Sequence, residues 1–273
     1  MRVESLLGTA YRTPSVFLME RQRSLMPATR KYRAPALQKG LEILELLAPS
    51  PTPMPTVDIS AALGRSVSEI FRMIQVLEEY GYIARSGEGY RVTNRLFSLG
   101  MAQPPIRDLL SHALPVMGEL AAHTRQSCHL VMASGSEMVV VANVEAPGLL
   151  GFAIRMGYRR PLIHSASGHI LMAFQTENGR DEMLRATAEA KLAFDRKALL
   201  GLLAKVRSAG FITMPSPMLT AITDLSAPIM LNGTALAALT MPFVDGPGAT
   251  LGRDEALLAL KEATGGISGR LAD

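Results

Sequence analysis

Apolar residues of the first ordered stretch, "LQKGLEILELLA" (37–48), place Leu37, Leu41, Leu44 and Leu47 at helical spacing. "APSPTPMP" (48–55) sets a proline at every second position and reads as an extended connector. "TVDISAALG" (56–64) predicts a short helix with Thr56 as N-cap and Gly64 as terminator. In "GRSVSEIFRMIQVLEEYGYI" (64–83) a step of about 100° per residue gathers Val67, Ile70, Phe71, Ile74 and Leu77 on one face. Arg65, Ser68, Glu69, Arg72, Val76 and Glu79 fall on the other. "YIAR" and "YRVT" flank "SGEG", so Tyr82–Thr93 reads as a two-stranded hairpin. Helix, helix, glycine turn, helix and hairpin is the winged helix-turn-helix order.

"PPIRDLLSHALPVMGELAAHTRQ" (104–126) carries an apolar stripe of Ile106, Leu109, Leu110, Ala113, Met117, Leu120 and Ala121. Pro115 interrupts it, which predicts a kink or two helices. The stripe suits a connecting helix that packs on a partner surface, a second copy of the chain being the expected one. After Cys128 the period changes. "CHLVMAS", "EMVVVANVEA" and "LGFAIRMGY" read as strands, "SASGHILMAF" (165–174) as a helix, and residues 180–209 as helical. "FITM", "TDLSAPIML" and "TALAALTMPFV" read as strands, the last two joined by an Asn232-Gly233 hairpin turn, and residues 250–263 as a closing helix. Hairpin-joined strands with fewer helices predict an α+β unit on a largely antiparallel sheet.

These readings give an N-terminal extension (1–33), a winged helix-turn-helix domain (34–100), a linker helix (101–126) and an α+β domain (127–273). Charge separates the same segments. Residues 1–40 hold Arg2, Arg12, Arg21, Arg23, Arg30, Lys31, Arg33 and Lys39 against Glu4 and Glu20, a net +6. Residues 41–100 net −2 and the remainder is neutral. A basic arm ahead of a folded domain suits polyanion contact, or is a solvated tail. The arm lacks periodicity and an apolar signal core, so it reads as disordered; Met26 resembles a natural start, and residues 1–25 are read as the product of an upstream start codon. No apolar run reaches the ~18 residues of a membrane span. A single cysteine excludes an internal disulfide and a paired-cysteine zinc site, and fits a cytoplasmic protein.

The polar face of 65–79 begins with small and basic residues at a helix N-terminus. Arg65, Ser66, Ser68, Glu69, Arg72 and Gln75 are therefore candidate contacts to double-stranded DNA, with Thr56 on the preceding helix and Arg85, Tyr90 and Arg91 on the hairpin. Glu69 either accepts from cytosine or orients Arg72 or Arg65. The negative charge of the domain itself favours a dimer that places two helices in successive grooves.

The stretches "LQKGLEILELLA" and "ISAALGRSVSEIFRMIQVLEEYGYIARSGEGYRVTNRLFSLG" resemble the DNA-binding half of the IclR family of bacterial transcriptional regulators. "HSASGHILMAF" and "ITDLSAPIMLNGTALAALTMPFV" resemble two signature regions of that family's effector-binding half, so the likeness spans roughly residues 36–265. It implies a winged helix-turn-helix, a linker helix, a GAF-like effector domain, homodimers or dimers of dimers, and a small organic effector that alters operator binding. It requires no cofactor, metal or enzyme activity. Carried onto this chain, the effector loop is His164, Ser165, Ala166 and Ser167, facing Asp224, Ser226 and Thr240.

Two departures stand out. His169 occupies a position where the family often has lysine, and Asp224 one where some carboxylate-binding members have cysteine. A carboxylate facing a carboxylate ligand is unfavourable, so the expected effector is hydroxylated or a neutral aromatic that donates to Asp224. Cys128 and His129, at a strand start, read as core. Of the rival readings, "HSASGH" lacks the Gly-x-Ser-x-Gly elbow of a hydrolase. His123, His129, His164 and His169 have no metal-ligand spacing, and "DGPGATLGRD" lacks the Lys-Ser/Thr of a phosphate loop. A sensor acting through protein contacts remains the other class.

Overall fold

The structure, a computed structural model, describes residues 34–147, 152–216, 221–245 and 251–272. The basic extension, residues 1–33, lies outside them. The chain divides into two compact units, Met1–Gln103 and Pro104–Asp273.

The first unit contains α1 (Pro35–Leu47), α2 (Thr56–Leu63), α3 (Val67–Glu79), the hairpin β1 (Ile83–Ser86) and β2 (Gly89–Val92), and α4 (Arg95–Met101). Its core joins Ile43, Leu44 and Leu47 of α1, Ile59 of α2, Ile70 and Ile74 of α3, and Ile83 of β1. The buried stripe of α1 is Gly40, Ile43, Leu44 and Leu47, while Leu37 and Leu41 are exposed. Similarly Val67 and Phe71 of α3 stand exposed, and Met73 takes a place in the core beside Ile70 and Ile74. The N-cap of α2 is Pro55, and Thr56 is its first helical residue with no side-chain cap. Gly64 ends that helix at φ 63°. Met54 pairs with Tyr90 through two backbone bonds of 2.9 Å, an isolated bridge that ties the proline-rich connector to the hairpin. Gly89 permits this approach, since a Cβ there would lie 2.7 Å from the Met54 carbonyl carbon. The short helix α4 has no counterpart among the elements read from the sequence; none of its residues is buried, so no hydrophobic period marks it.

The second unit begins with α5 (Pro104–Thr124), which runs unbroken through Pro115. Of the two alternatives expected, a kink or two helices, the second does not occur. The proline removes one backbone bond, but Ala113, Val116 and Met117 are buried on both sides of it and hold the turns together. A six-stranded antiparallel sheet follows, in the order β5-β4-β3-β8-β7-β6. The strands are β3 (Cys128–Ser134), β4 (Glu137–Val144), β5 (Arg159–Pro161), β6 (Ile212–Pro215), β7 (Ile222–Leu231) and β8 (Thr234–Val244). The strand read in "LGFAIRMGY" is absent from its described part, 152–158; the strand begins later, at Arg159. The β7–β8 turn uses Asn232 at φ 50° and Gly233 at φ 79°, the left-handed pair such a turn needs.

Strand alternation divides two cores. On one face Leu130, Ala142, Leu225, Ala227, Ala237, Leu239 and Met241 pack with Leu109, Met117 and Leu120 of α5 and with Leu260 and Ile267 of α9 (Arg253–Ala272). The apolar stripe of α5 is therefore covered by its own unit. On the other face Val131, Val140 and Ala238 pack with α6 (Ala166–Ala173), α7 (Glu177–Glu189) and α8 (Arg196–Ala209). Residues 180–209 thus hold two helices, divided where Leu192 and Phe194 join the core between them. Every residue of α6 is buried.

Candidate functional site

The N-terminal surface is built on α3. Ser66 caps the helix: its Oγ accepts from the Glu69 N–H, and Glu69 Oε2 accepts in return from the Ser66 N–H at 3.2 Å. The Ser68 hydroxyl lies 3.2 Å from that of Ser66. Glu69 also takes Lys39 Nζ of α1 at 2.7 Å. That bond, with those from Ser66, pulls its carboxyl down to about 2. Arg65 reaches back to Glu42 of α1, with Nη2 at 2.8 Å and Nε at 3.1 Å from Oε2. Hence Glu69 orients neither Arg65 nor Arg72, and Arg65 lies partly buried rather than on the outer face. The outward side of α3 presents Ser68, Arg72, Gln75 and Val76, all exposed. On the hairpin Arg85 and Arg91 are exposed, while Tyr90 packs against the core.

The second site lies on the α6 face of the sheet. A 3-10 turn, Leu162–His164, precedes α6, and Gly168 lets the two meet; a Cβ there would come 2.1 Å from the Leu162 carbonyl oxygen. Ser165 caps α6, its Oγ accepting from the Gly168 N–H at 3.1 Å. Beneath this end lies a polar row on an otherwise apolar sheet. His129 of β3 pairs with Thr240 of β8, which pairs with Ser226 of β7, and Asp224 stands two residues along β7 on the same face. A small cavity, about 30 Å³, lies between loop and row, lined by His129, Met138, Ile154, Tyr158, Arg160, Ser165, Ala166, Ser167, Ser216, Asp224 and Thr240. Its size suits one or two waters.

Five of the seven expected effector residues line this space. The other two do not. His164 is exposed and contributes its carbonyl to Arg160 Nε at 2.8 Å. Ser226 is buried beneath, its hydroxyl 2.8 Å from that of Thr240. His129, read from the sequence as core, is a lining residue. Arg160, Ser216 and Tyr158 escape sequence reasoning as well, because they reach the cavity through strand pairings and turns that carry no local motif.

The titratable groups here are shaped by burial. It pushes Asp224 up to about 6 against the opposing effects of a hydrogen bond from Ser216 and the charge of Arg160. It holds His129 down at about 4, so the imidazole is neutral near pH 7. His169 is also lowered by burial, and its Nε2 lies 3.1 Å from the Ile163 carbonyl oxygen. Ser165 is thus engaged as a cap and His169 with backbone, and no hydrogen bond among the described residues joins them as nucleophile and base. No cluster of three metal-ligating side chains occurs among the described residues, and no helix there is long and apolar enough to cross a membrane.

Comparison with known proteins covers both units. Residues 36–87 match the IclR helix-turn-helix domain, and residues 106–268 the C-terminal domain of bacterial transcriptional regulators of the IclR type. The transcriptional regulator KdgR of Escherichia coli K12 is 27% identical over 194 residues, 68% of this chain and 73% of that protein. The repressor AllR of Salmonella typhi is 24% identical over 233 residues, 83% of this chain and 85% of that protein. Among solved structures, an IclR homologue from Microbacterium hydrocarbonoxydans in complex with 4-hydroxybenzoate has a TM-score of 0.68 at 24% identity, over 86% of this chain and 98% of its own. An IclR regulator from Alicyclobacillus acidocaldarius has a TM-score of 0.66 at 21% identity, over 88% of this chain and 100% of its own.

Proposed function

Because the chain belongs to the IclR family of bacterial transcriptional regulators, we propose that its winged unit reads operator DNA through Ser68, Arg72 and Gln75 of α3 and through Arg85 and Arg91 of the hairpin. The helix-turn-helix unit binds DNA and the C-terminal unit binds ligand. Arg72 supplies a fork for a guanine edge or a phosphate, and Ser68 and Gln75 are short polar neighbours on the same exposed side. Arg65 and Glu69 act indirectly: their bonds to Glu42 and Lys39 fix α3 against α1. The net charge of −2 over residues 41–100 gives a single copy little attraction for DNA, so the protein acts in the cytoplasm as a homodimer or dimer of dimers, in which two α3 helices and the basic arms share one operator.

The effector is a small hydroxylated organic molecule, bound between the Ser165–Ser167 loop and the polar row. The observation that carries this is Asp224, partly buried at the cavity, where a guest that donates a hydrogen bond is favoured and a second carboxylate facing it is not. The 4-hydroxybenzoate held by the Microbacterium homologue is a hydroxylated aromatic, which supports this class. A thermal-shift screen tests it. Phenols and polyols are expected to raise the Tm of the wild-type protein and to lose that effect in D224N. Stabilisation confined to small dicarboxylates and keto acids would contradict it.

A further inference from the structure

On the polar row one nitrogen has no partner. His129 is 5% exposed and lines the cavity, yet its Nδ1 lacks any hydrogen-bond partner. A buried polar nitrogen left unpaired costs about 1–3 kcal/mol, so one on a residue that lines this cavity calls for a partner that a bound guest can supply. Alternation explains why it faces that way. Cys128 and Leu130, its neighbours on β3, belong to the α5–α9 core, so His129 projects to the α6 face with Thr240.

We propose that His129 is an effector-binding residue, and that the effector is a ring-sized molecule with two opposed polar groups, a hydroxyl that donates to Asp224 and a second group that hydrogen-bonds to the His129 imidazole. This rests on the reading of the cavity as the effector site and specifies the guest. The spacing follows from the sheet. Thr240 is paired with both His129 and Ser226, and Asp224 is two residues from Ser226. Strands ~4.8 Å apart with a rise of ~3.4 Å per residue place the Cα atoms of His129 and Asp224 about 12 Å apart along that diagonal. The two side chains therefore stand at opposite ends of the row, and a guest that bonds both carries two polar groups set apart from each other. A ring substituted at opposite positions sets two groups apart in this way. Such a ring lies across Thr240, beneath Ser165, Ala166 and Ser167. The neutral imidazole offers both an N–H and a lone pair, so the second group is a hydroxyl or another neutral or anionic acceptor.

Isothermal titration of the full-length protein with four probes tests this: hydroquinone and 4-hydroxybenzoate, which carry two opposed groups, phenol, which carries one, and benzoate, which lacks the hydroxyl. In the wild type the two-ended probes bind about ten-fold or more tighter than phenol. In H129F, which keeps the ring, that advantage disappears while phenol affinity is unchanged. H129N, which keeps a hydrogen-bonding group, retains part of it, so a folding defect in H129F would not hide the result. D224N weakens all three hydroxylated probes. An advantage of the two-ended probes that survives in both His129 variants overturns this inference and leaves the cavity reading standing. Probes that bind wild type and D224N alike, or do not bind the wild type at all, overturn the cavity reading and this inference with it.

Discussion

Arg65 and Glu42 join the turn before α3 to α1: the guanidinium bonds one carboxylate oxygen through both Nη2 and Nε, at 2.8 and 3.1 Å, with each side chain about one quarter exposed. An arginine that the sequence offers to DNA is thus a brace for the recognition helix. R65A is expected to lower unfolding stability by about 1 kcal/mol. R72A leaves stability unchanged and weakens operator binding by about 1–3 kcal/mol. Denaturant unfolding and anisotropy titrations on the two variants separate these effects. The reverse assignment would return Arg65 to the base-reading face.

Asp224 gives stability and effector binding opposite dependences on pH. Burial first of all raises the folded carboxyl from 3.8 to about 6. Between those values the folded chain holds a proton that the unfolded chain has released, so stability falls as pH rises through this window and stays lower above it. D224N carries no charge to bury. Its Tm is expected to match the wild type below pH 3.8 and to exceed it above about 6. A hydroxylated effector donates best to the ionised carboxylate, so its affinity rises over the same window. Tm and titration series spanning roughly pH 4 to 7.5 check both signs.

Gly168 seats α6 against the turn before it. A Cβ would meet the Leu162 backbone at 2.1 to 2.6 Å, where no side chain can give way. G168A is expected to cost about 3 kcal/mol or more and to abolish effector binding. G201A, in α8 where a Cβ meets nothing within 4 Å, is expected to stabilise by about 0.5–1 kcal/mol. Thermal unfolding of the two variants reads the contrast directly.

The basic extension is expected to engage DNA phosphates. Removing residues 1–33 takes away Arg2, Arg12, Arg21, Arg23, Arg30, Lys31 and Arg33. Operator affinity falls steeply with salt in the full chain, and the truncation reduces the log–log slope by about 0.9 for each phosphate that the extension neutralises. Equal slopes for the two forms would remove the extension from the interface.

What is legible in the sequence is local. Gly64, the Asn232-Gly233 turn and the alternation of β7 and β8 follow from rules that span a few residues, and they place the winged unit and the antiparallel sheet correctly. Periodicity gives the existence of α3 but puts Val67 and Phe71 in a core that excludes them, because the packing partner, not the period, centres a helix face. The partner of Arg65 lies 23 residues away, and the strand pairing that sets His129 beside Thr240 spans more than a hundred. No window along the chain reveals either. Pro115 bounds the local rule from the other side: it does not divide the helix, whose turns are buried on both sides of it.

Sequence-specific DNA reading by this chain is tested most directly by fluorescence anisotropy, using a duplex that the full-length protein selects from a random library and a scrambled duplex as control, at roughly physiological salt. A preference of about 10³-fold or more for the selected duplex, lost in R72A, is the predicted result. Equal affinity for the two duplexes after repeated selection would contradict it.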